Sequence, residues 1–332
     1  MGLLPGVLQL RGWPVRGTMT DVAVALDAQV LDRNIVRFHQ LVAAAGRVTR
    51  AHFKAHRTVE LSARQVAAGA GGVSVHTART AIALAAVGVR DVVVAWPWRE
   101  EWRWPVYLEA ARSVERFAVH VDDAETVTGL GALAAAGGAE IGVRLDVRHL
   151  PDDGVLPLAR LVDATGGVRL DGVSAYSGAE TRADITDRDA LGQRQAERLV
   201  RFAESIRGDG IDCPVVSAGG MPTALGALRV DGVTEIVAGA YATLDAGMAE
   251  AGVCALEDVA VSVAAERVDL LAGCAQPWAP ELESLPSAGG RLLPGHICPL
   301  AKALMHSGVE LTLVDEGRTV ERWLPRARPD RG

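Results

Sequence analysis

The stretch VTRAHFKAHRTVELSARQVAAGAGGVSVH, residues 48–76, decides the fold of this chain. Its two ends, residues 48–53 and 72–76, are short apolar-leaning runs typical of buried strands, and the segment between them has a helical pattern. A strand, a helix and a second strand in this order form a unit whose two strands lie parallel. Lys54 directly follows the first strand, so its amine is predicted to lie at the C-terminal end of that strand.

The same alternation of strand and helix continues along the chain. Helical segments such as Ala78–Ala86, Asp122–Ala136 and Asp189–Ile206 separate most of the strand-like runs. Eight such units over about 200 residues predict a (β/α)8 barrel. The alternative, a doubly wound open sheet, would normally have fewer strands and a phosphate-binding loop after the first. The eight predicted strands cover residues 48–53, 72–76, 91–96, 117–121, 140–146, 171–177, 214–218 and 235–239.

The pattern changes near residue 255, where strand-like segments replace the β/α units. Residues 259–268 and 309–325 are rich in β-forming residues, and no helix is predicted between them. The opening strand, residues 22–27, is predicted to join this β-rich part because the barrel already has eight strands. The predicted domains are a barrel at 22–254 and a β-rich domain at 1–21 plus 255–332.

Composition excludes several classes of protein. The 332 residues carry a net charge of −7, with no basic block of the kind that binds nucleic acid. No window has the run of about 18 apolar residues that a membrane span needs. The N-terminal segment lacks the charged start of a signal peptide, and the four cysteines show no CxxC spacing. We therefore predict a soluble cytoplasmic protein that binds neither nucleic acid nor membrane.

Lys54 is the first candidate for chemistry. Nearly all of the 34 Lys and Arg residues are arginine, so a lysine at a strand end is unusual for this chain. Active sites of such barrels lie at the C-terminal ends of the strands. A lysine there can form a Schiff base if desolvation or a nearby cation lowers its pKa. The alternative is a solvated lysine between two surface histidines, His52 and His56.

Two glycine-containing segments end the seventh and eighth predicted strands. They are SAGG at residues 217–220 and AGAY at residues 238–241. Glycines there let backbone N–H groups approach an anion closely, and barrels of this kind commonly bind phosphate at these two loops. A Schiff-base lysine together with a phosphate site indicates pyridoxal phosphate.

A third element, LLPGHICPLA at residues 292–301, contains His296 and Cys298. At positions i and i+2 of an extended segment, the two side chains project to the same side. Imidazole and thiolate are ligands that zinc prefers. The alternative is a buried cysteine beside a structural histidine.

Taken together, these elements resemble the fold-type III pyridoxal phosphate enzymes, in particular the group of D-threonine aldolases and eukaryotic-type D-serine dehydratases. The resemblance extends over nearly the whole chain. The segments that carry it are RAHFKAHRTVELSARQVAAGAGGVSVHTA at 50–78, DGVSAYSG at 171–178, VSAGGMPT at 216–223, AGAYATLD at 238–245 and PGHICP at 294–299.

The resemblance implies a role for each site residue. Lys54 is implied as the Schiff-base lysine, with Tyr176 and His52 as further catalytic residues, and His296 and Cys298 as metal ligands. A homodimer is also implied. The implied pyridoxal phosphate site consists of Lys54, His56, Thr77, Arg144, Tyr176, Ser217, Gly219, Gly220, Gly239, Ala240 and Tyr241.

One loop departs from the family pattern Asp-Val-Gly-x-x-Arg-x-Gly-Val. Here it reads DVRHLPDDGV, so Arg148 stands where the pattern has glycine and the arginine that would face the pyridine nitrogen has no clean counterpart. Arg144, Arg148 and His149 are the candidates to replace it.

The predicted function is that of a pyridoxal phosphate- and zinc-dependent lyase acting on a β-hydroxy D-amino acid. Cys298 resembles the dehydratase side of the group, which favours elimination to a 2-oxo acid and ammonia. Retro-aldol cleavage to glycine and an aldehyde is the first alternative, because PGH and AYSG resemble the aldolase side. An amino-acid racemase, which would need no metal, and a non-catalytic carrier of the cofactor are the others.

Overall fold

The computed structural model describes residues 23–176, 187–264, 284–286 and 291–326. Its larger sheet is a closed barrel of eight parallel strands in sequential order, closed where the last strand pairs with the first. The predicted barrel is confirmed. Its strands are β2 Val48–His52, β3 Gly72–Val75, β4 Asp91–Val94, β5 Arg116–Val121, β6 Ile141–Asp146, β7 Val168–Tyr176, β8 Val215–Gly219 and β9 Glu235–Ala238.

Helices follow the barrel strands and bury one apolar face each. In the helix Ala124–Ala136, the side chains of Val127, Leu130 and Ala134 are buried at helical spacing, and the Asp123 carboxylate accepts a hydrogen bond from the Thr126 N–H. None of the described helices combines the length and apolar character needed to cross a membrane. These helices are α2 Val59–Ala67, α3 Ala78–Ala85, α4 Pro105–Ser113, α5 Ala124–Ala136, α6 Val155–Ala164, α7 Arg188–Gly208 and α8 Ala224–Leu228.

The second sheet has six strands in the order β11-β12-β10-β1-β13-β14. The first strand, β1, pairs antiparallel with β10 and parallel with β13, so the N-terminal strand belongs to this sheet, as predicted. The strands are β1 Val24–Asp27, β10 Val261–Ala264, β11 Ser284–Pro286, β12 Arg291–Pro294, β13 Leu311–Asp315 and β14 Arg318–Trp323. The remaining helices are α1 Ala28–Ala44, α9 Ala246–Glu250 and α10 Ile297–Ser307.

The compact unit that contains the second sheet begins earlier than the predicted boundary after residue 254. It takes in the described residues up to Arg37, then Ala55–Thr58, then the described residues from Ala240 onwards. Hydrogen bonds of the segment after residue 240 agree with this boundary: the Asp245 carboxylate caps α9, and the Gly247 N–H donates to the Gly295 carbonyl. Residues 1–21, which were predicted to belong to this domain, lie outside the described residues.

The prediction that no helix lies between the two C-terminal strand segments is wrong. The helix α10 occupies residues 297–307, and its side chains at positions 297, 300, 301 and 304 are buried at helical spacing. Gly308 ends it in the left-handed conformation, with φ 66°. Pro299 obscured the pattern, yet proline is tolerated in a first helical turn because the N–H groups there have no partner within the helix.

The barrel interior contains a network of buried charges instead of the usual branched apolar layers. Glu235 lies at its centre, accepting from Arg50 Nε at 2.6 Å, from Arg144 Nη1 at 2.6 Å and from the Ser217 hydroxyl at 2.7 Å. Arg144 Nε also donates to Asp171 at 2.7 Å. Because these side chains come from five different strands, the network ties the wall of the barrel together.

This network predicts acid sensitivity. Burial alone would raise the pKa of Glu235 and of Asp171, but the neighbouring arginine charges, Arg144 first among them, and the hydrogen bonds together outweigh burial and lower each pKa to about 2, from usual values of 4.5 and 3.8. A carboxyl group whose pKa is lowered by folding stabilises the fold above its unfolded pKa, and that stability is lost as the pH falls towards the folded pKa. We therefore expect the melting temperature to fall between about pH 4.5 and pH 2, and to fall less steeply in a Glu235→Gln variant. If the melting temperatures of the wild type and of Glu235→Gln fall equally steeply with decreasing pH, this expectation is contradicted.

Candidate active site

Lys54 lies at the C-terminal end of the barrel, on the single 3-10 turn Phe53–Ala55 that directly follows β2. Its Nζ atom is 4.0 Å from the centroid of the Tyr176 ring, which ends β7. No hydrogen bond or ion pair to another described residue engages the Lys54 amine. The barrel therefore presents a half-buried amine that rests on an aromatic face.

His52, the last residue of β2, holds the turn that carries Lys54. Its Nδ1 atom accepts a hydrogen bond from the backbone N–H of Lys54 at 3.3 Å, which requires Nδ1 to be unprotonated. The His52 ring also packs edge-on against His76, with ring centroids 5.3 Å apart. His52, which was predicted to be catalytic, is thus placed to position Lys54.

The glycines predicted for phosphate binding end two strands on the same rim. Gly219 ends β8 beside Tyr176, and a Cβ atom placed on it would lie 3.1 Å from the Ala175 carbonyl oxygen. Gly220 has φ 119°, which only glycine adopts readily. Gly239 directly follows β9. Side chains other than glycine would therefore crowd or strain the segment next to Tyr176.

A cluster of charged groups on this rim was missed as a unit by the sequence analysis. Asp146 ends β6 fully buried, and it accepts hydrogen bonds from Arg148 Nε at 2.7 Å and from Arg148 Nη2. Burial alone would raise the pKa of Asp146, but the hydrogen bonds and charges of Arg148 and His120 together outweigh burial and hold the pKa well below its usual range. His120 Nδ1 lies 3.6 Å from the same carboxylate, and burial lowers the pKa of this histidine, so it is neutral at pH 7. The signal that could have found the cluster is a charged residue, Asp146, at the end of the buried strand β6.

Other predicted cofactor residues are engaged elsewhere. Arg144 and Ser217 point into the barrel, where both bind Glu235. Thr77 caps α3, accepting a hydrogen bond from the Thr80 N–H at 3.4 Å. Closure of the barrel brings the side chains of Arg144 and Ser217 to a buried acid, and their assignment to the cofactor stays a prediction.

The remaining predicted residues belong to the compact unit that contains the second sheet. His56 is fully buried and its Nδ1 atom accepts from the Thr58 N–H at 3.2 Å. Ala240 and Tyr241 are both buried there, and the Ala240 carbonyl accepts from the Leu244 N–H at 2.6 Å.

The predicted metal pair brackets the start of α10. His296 is the residue before the helix, and its Nδ1 atom lies 3.3 Å from the Asp245 carboxylate. Cys298 is the second helical residue, so the expectation of an extended segment is wrong. Within the described residues no group of three or more His, Cys, Asp or Glu side chains could hold a metal ion. A metal bound here would take ligands from water or substrate as well.

An eight-stranded parallel barrel with a second, mixed sheet and a lysine at the mouth defines the fold-type III class of pyridoxal phosphate enzymes. The alanine racemase N-terminal domain model matches residues 26–263. The chain belongs to this family, which is pyridoxal phosphate-dependent, as the sequence resemblance predicted.

The relatives of this chain include two named lyases. The D-threo-3-hydroxyaspartate dehydratase of Delftia sp. (strain HT23) is 36% identical over 257 residues, covering 75% of this chain and 67% of the relative. The D-threonine aldolase of Arthrobacter sp. is 29% identical over 204 residues, covering 59% of this chain and 54% of the relative. The matched region thus spans between about half and two thirds of these proteins.

A solved structure extends the likeness over nearly the full chain. It is a cysteine-to-alanine variant of a D-threo-3-hydroxyaspartate dehydratase in its metal-free form, with a TM-score of 0.79 and 26% identity over 93% of this chain and 98% of that one. Its description implies that the unaltered dehydratase has a metal site.

Proposed function

We propose that this protein is a pyridoxal phosphate- and zinc-dependent lyase that removes the β-hydroxyl group and the amine from a β-hydroxy D-amino acid, giving a 2-oxo acid and ammonia. The observation that carries the proposal is the Lys54 amine, which lies at the barrel mouth against Tyr176. The 36% identity to a dehydratase supports elimination as the reaction.

The residues at the rim fit pyridoxal phosphate. Lys54 offers an amine without an ion-pair partner among the described residues, which is what attachment of an aldehyde requires. The tight approach of Gly219 to Ala175 and the positive φ of Gly220 both favour glycine at these positions. The backbone there is therefore not covered by side chains of its own. Lys54, Tyr176, Gly219, Gly220 and Gly239 are therefore the residues that we assign to the cofactor.

Pyridoxal phosphate supplies an electron sink for the negative charge that develops when a proton leaves the substrate α-carbon. The protein supplies the base and its orientation. Lys54 Nζ is the group positioned to take that proton, Tyr176 supports it from one side, and His52 holds its backbone turn. Each contact restricts Lys54 to the mouth of the barrel.

His296 and Cys298 fit a zinc site. Histidines that bind a metal commonly donate their second ring N–H to a carboxylate, and the Asp245 carboxylate occupies that place at Nδ1 of His296. This leaves Nε2 for the metal, with the Cys298 sulfur as the second donor. Zinc held here would supply the Lewis acid that assists departure of a hydroxyl group.

Retro-aldol cleavage is the second candidate, favoured by the relationship to a D-threonine aldolase. The two reactions release different products: a 2-oxo acid with ammonia, or glycine with an aldehyde.

The deciding experiment is product analysis on purified protein after its absorbance spectrum and zinc content have been measured. We expect a 2-oxo acid and ammonia in equal amounts from a β-hydroxy D-amino acid, and loss of turnover on treatment with EDTA that added Zn²⁺ restores. A Cys298→Ala variant should lose zinc and turnover while retaining the cofactor absorbance. Glycine and an aldehyde as products would show that the reaction is aldol cleavage and not elimination. Racemisation that is insensitive to EDTA would overturn both the elimination and the aldol cleavage.

A further inference from the structure

We propose that Arg148 binds a carboxylate group of the substrate. This inference rests on the proposed function and identifies one chemical group of the substrate that the site recognises. The alternative role, a purely structural partner for Asp146, predicts different results in the experiment below.

Among the described residues, only part of the Arg148 guanidinium is engaged. A guanidinium has five N–H donors, and hydrogen bonds to Asp146 occupy Nε and one N–H of Nη2. Nη1 has no hydrogen-bond partner among the described residues. The edge formed by Nη1 and Nη2 therefore retains paired donors with the geometry that binds a carboxylate through two parallel hydrogen bonds.

Two neighbouring residues set the position of this edge. Asp146 is fully buried at the end of β6 and anchors one side of the guanidinium. The ring of Trp96, in the segment that follows β4, lies 5.8 Å from the Arg148 Cζ atom. A side chain held in this way loses little entropy when it binds a ligand.

The edge lies on the same rim as the reactive amine. Burial disfavours the charge on Arg148, but Asp146, and to a smaller extent the Tyr176 phenol, favour it and raise the pKa, so Arg148 stays charged. Tyr176 in turn contacts Lys54 Nζ at 4.0 Å. A cation and the amine thus both lie near Tyr176, as binding of an amino acid, which has both an amine and a carboxylate, requires.

Two carboxylates could occupy the site: the α-carboxylate that every amino acid has, or a side-chain carboxylate as in 3-hydroxyaspartate. The test compares Arg148→Gln and Arg148→Lys with the wild-type holoenzyme on D-serine, D-threonine and D-threo-3-hydroxyaspartate. A charged hydrogen bond contributes about 1.5–3 kcal/mol, so we expect KM to rise about 10- to 100-fold with little change in kcat. A rise for all three substrates identifies the α-carboxylate, and a rise for 3-hydroxyaspartate alone identifies the side-chain carboxylate.

Arg99→Gln is the matched control, because Arg99 is another arginine of this rim paired with aspartates, Asp122 at 2.7 Å and Asp123 at 3.1 Å. It removes the same charge without touching Arg148. We expect its KM values to stay within about twofold of wild type. Equal rises in the two variants, or unchanged KM in Arg148→Gln, would overturn the proposal.

Loss of Arg148 also leaves Asp146 as a buried, unpaired charge, so a variant with a lowered melting temperature needs a second comparison. The double variant Asp146→Asn/Arg148→Gln removes both charges together, and we expect it to recover the melting temperature but not the KM. Recovery of both would show that Arg148 acts only through Asp146, and would overturn the proposal.

Succinate, a dicarboxylate without an amine, separates this inference from the proposed function. We expect calorimetry to show succinate binding to the wild-type protein and at least about tenfold weaker binding to Arg148→Gln. If no β-hydroxy D-amino acid is converted, the proposed function fails and the succinate titration alone decides the role of Arg148. In that case, the role of Arg148 in carboxylate binding is refuted if succinate does not bind, or if it binds the wild-type protein and Arg148→Gln equally.

Discussion

A Lys54→Ala variant is expected to lose at least about 1,000-fold in kcat and to lose the absorbance band of the covalently attached cofactor. Alanine removes both the attachment point and the base, and no other described amine lies at this rim. The Tyr176 ring, 4.0 Å from Nζ, cannot replace an amine in either role. Steady-state kinetics and the absorbance spectrum of the purified variant measure the two losses.

Borohydride reduction gives the matching positive result. In the wild-type protein we expect the reduced cofactor on the peptide that contains Lys54. Lys302, an exposed lysine of α10, serves as the control, and its replacement by alanine should change neither the spectrum nor the labelled peptide. A labelled Lys302 peptide, or a wild-type protein that stays colourless when pyridoxal phosphate is added, would refute the assignment of Lys54 and the proposed function with it.

The second large effect is expected for Glu235→Gln, which removes the central charge of the barrel interior. Glu235 accepts hydrogen bonds from Arg50, Arg144 and Ser217, and all four side chains are almost completely buried. Breaking a buried ion pair by removing one partner costs about 3–5 kcal/mol, because the remaining charge is left uncompensated in a medium of low polarity. We expect a loss of that size in the free energy of unfolding, measured by urea denaturation.

Glu140→Gln is the matched control for this measurement. Glu140 forms an ion pair with Arg169 at 2.8 Å, but the Glu140 side chain is largely exposed and the Arg169 side chain is partly exposed. Exposed ion pairs contribute about 0–1 kcal/mol, so we expect the urea midpoint to move little. Similar losses in both variants would show that burial of the network does not determine its strength.

The position of Lys54 could be predicted from the sequence because it depends only on which element the lysine directly follows in the chain. A strand followed at once by a lysine places the amine at the C-terminal rim of any parallel barrel. The same reasoning located Gly219 and Gly220 at the end of β8, since glycine in such a place has a conformational reason. His296 and Cys298 were predicted as metal ligands from residue type and from their spacing in an extended segment, and so the helix on which Cys298 lies was missed.

What the sequence by itself determined is the alternation of strands and helices, the closed barrel, the return of the first strand to the second sheet, and Lys54 at the barrel mouth. These follow from periodicity and from residues next to each other in the chain. The tertiary structure alone decided which charges meet: Arg144 and Ser217 face inward to Glu235, and Arg148 rests on Asp146 beside Trp96. The physical reason is that strand register and barrel closure set these distances, and both depend on packing between segments that lie far apart in sequence.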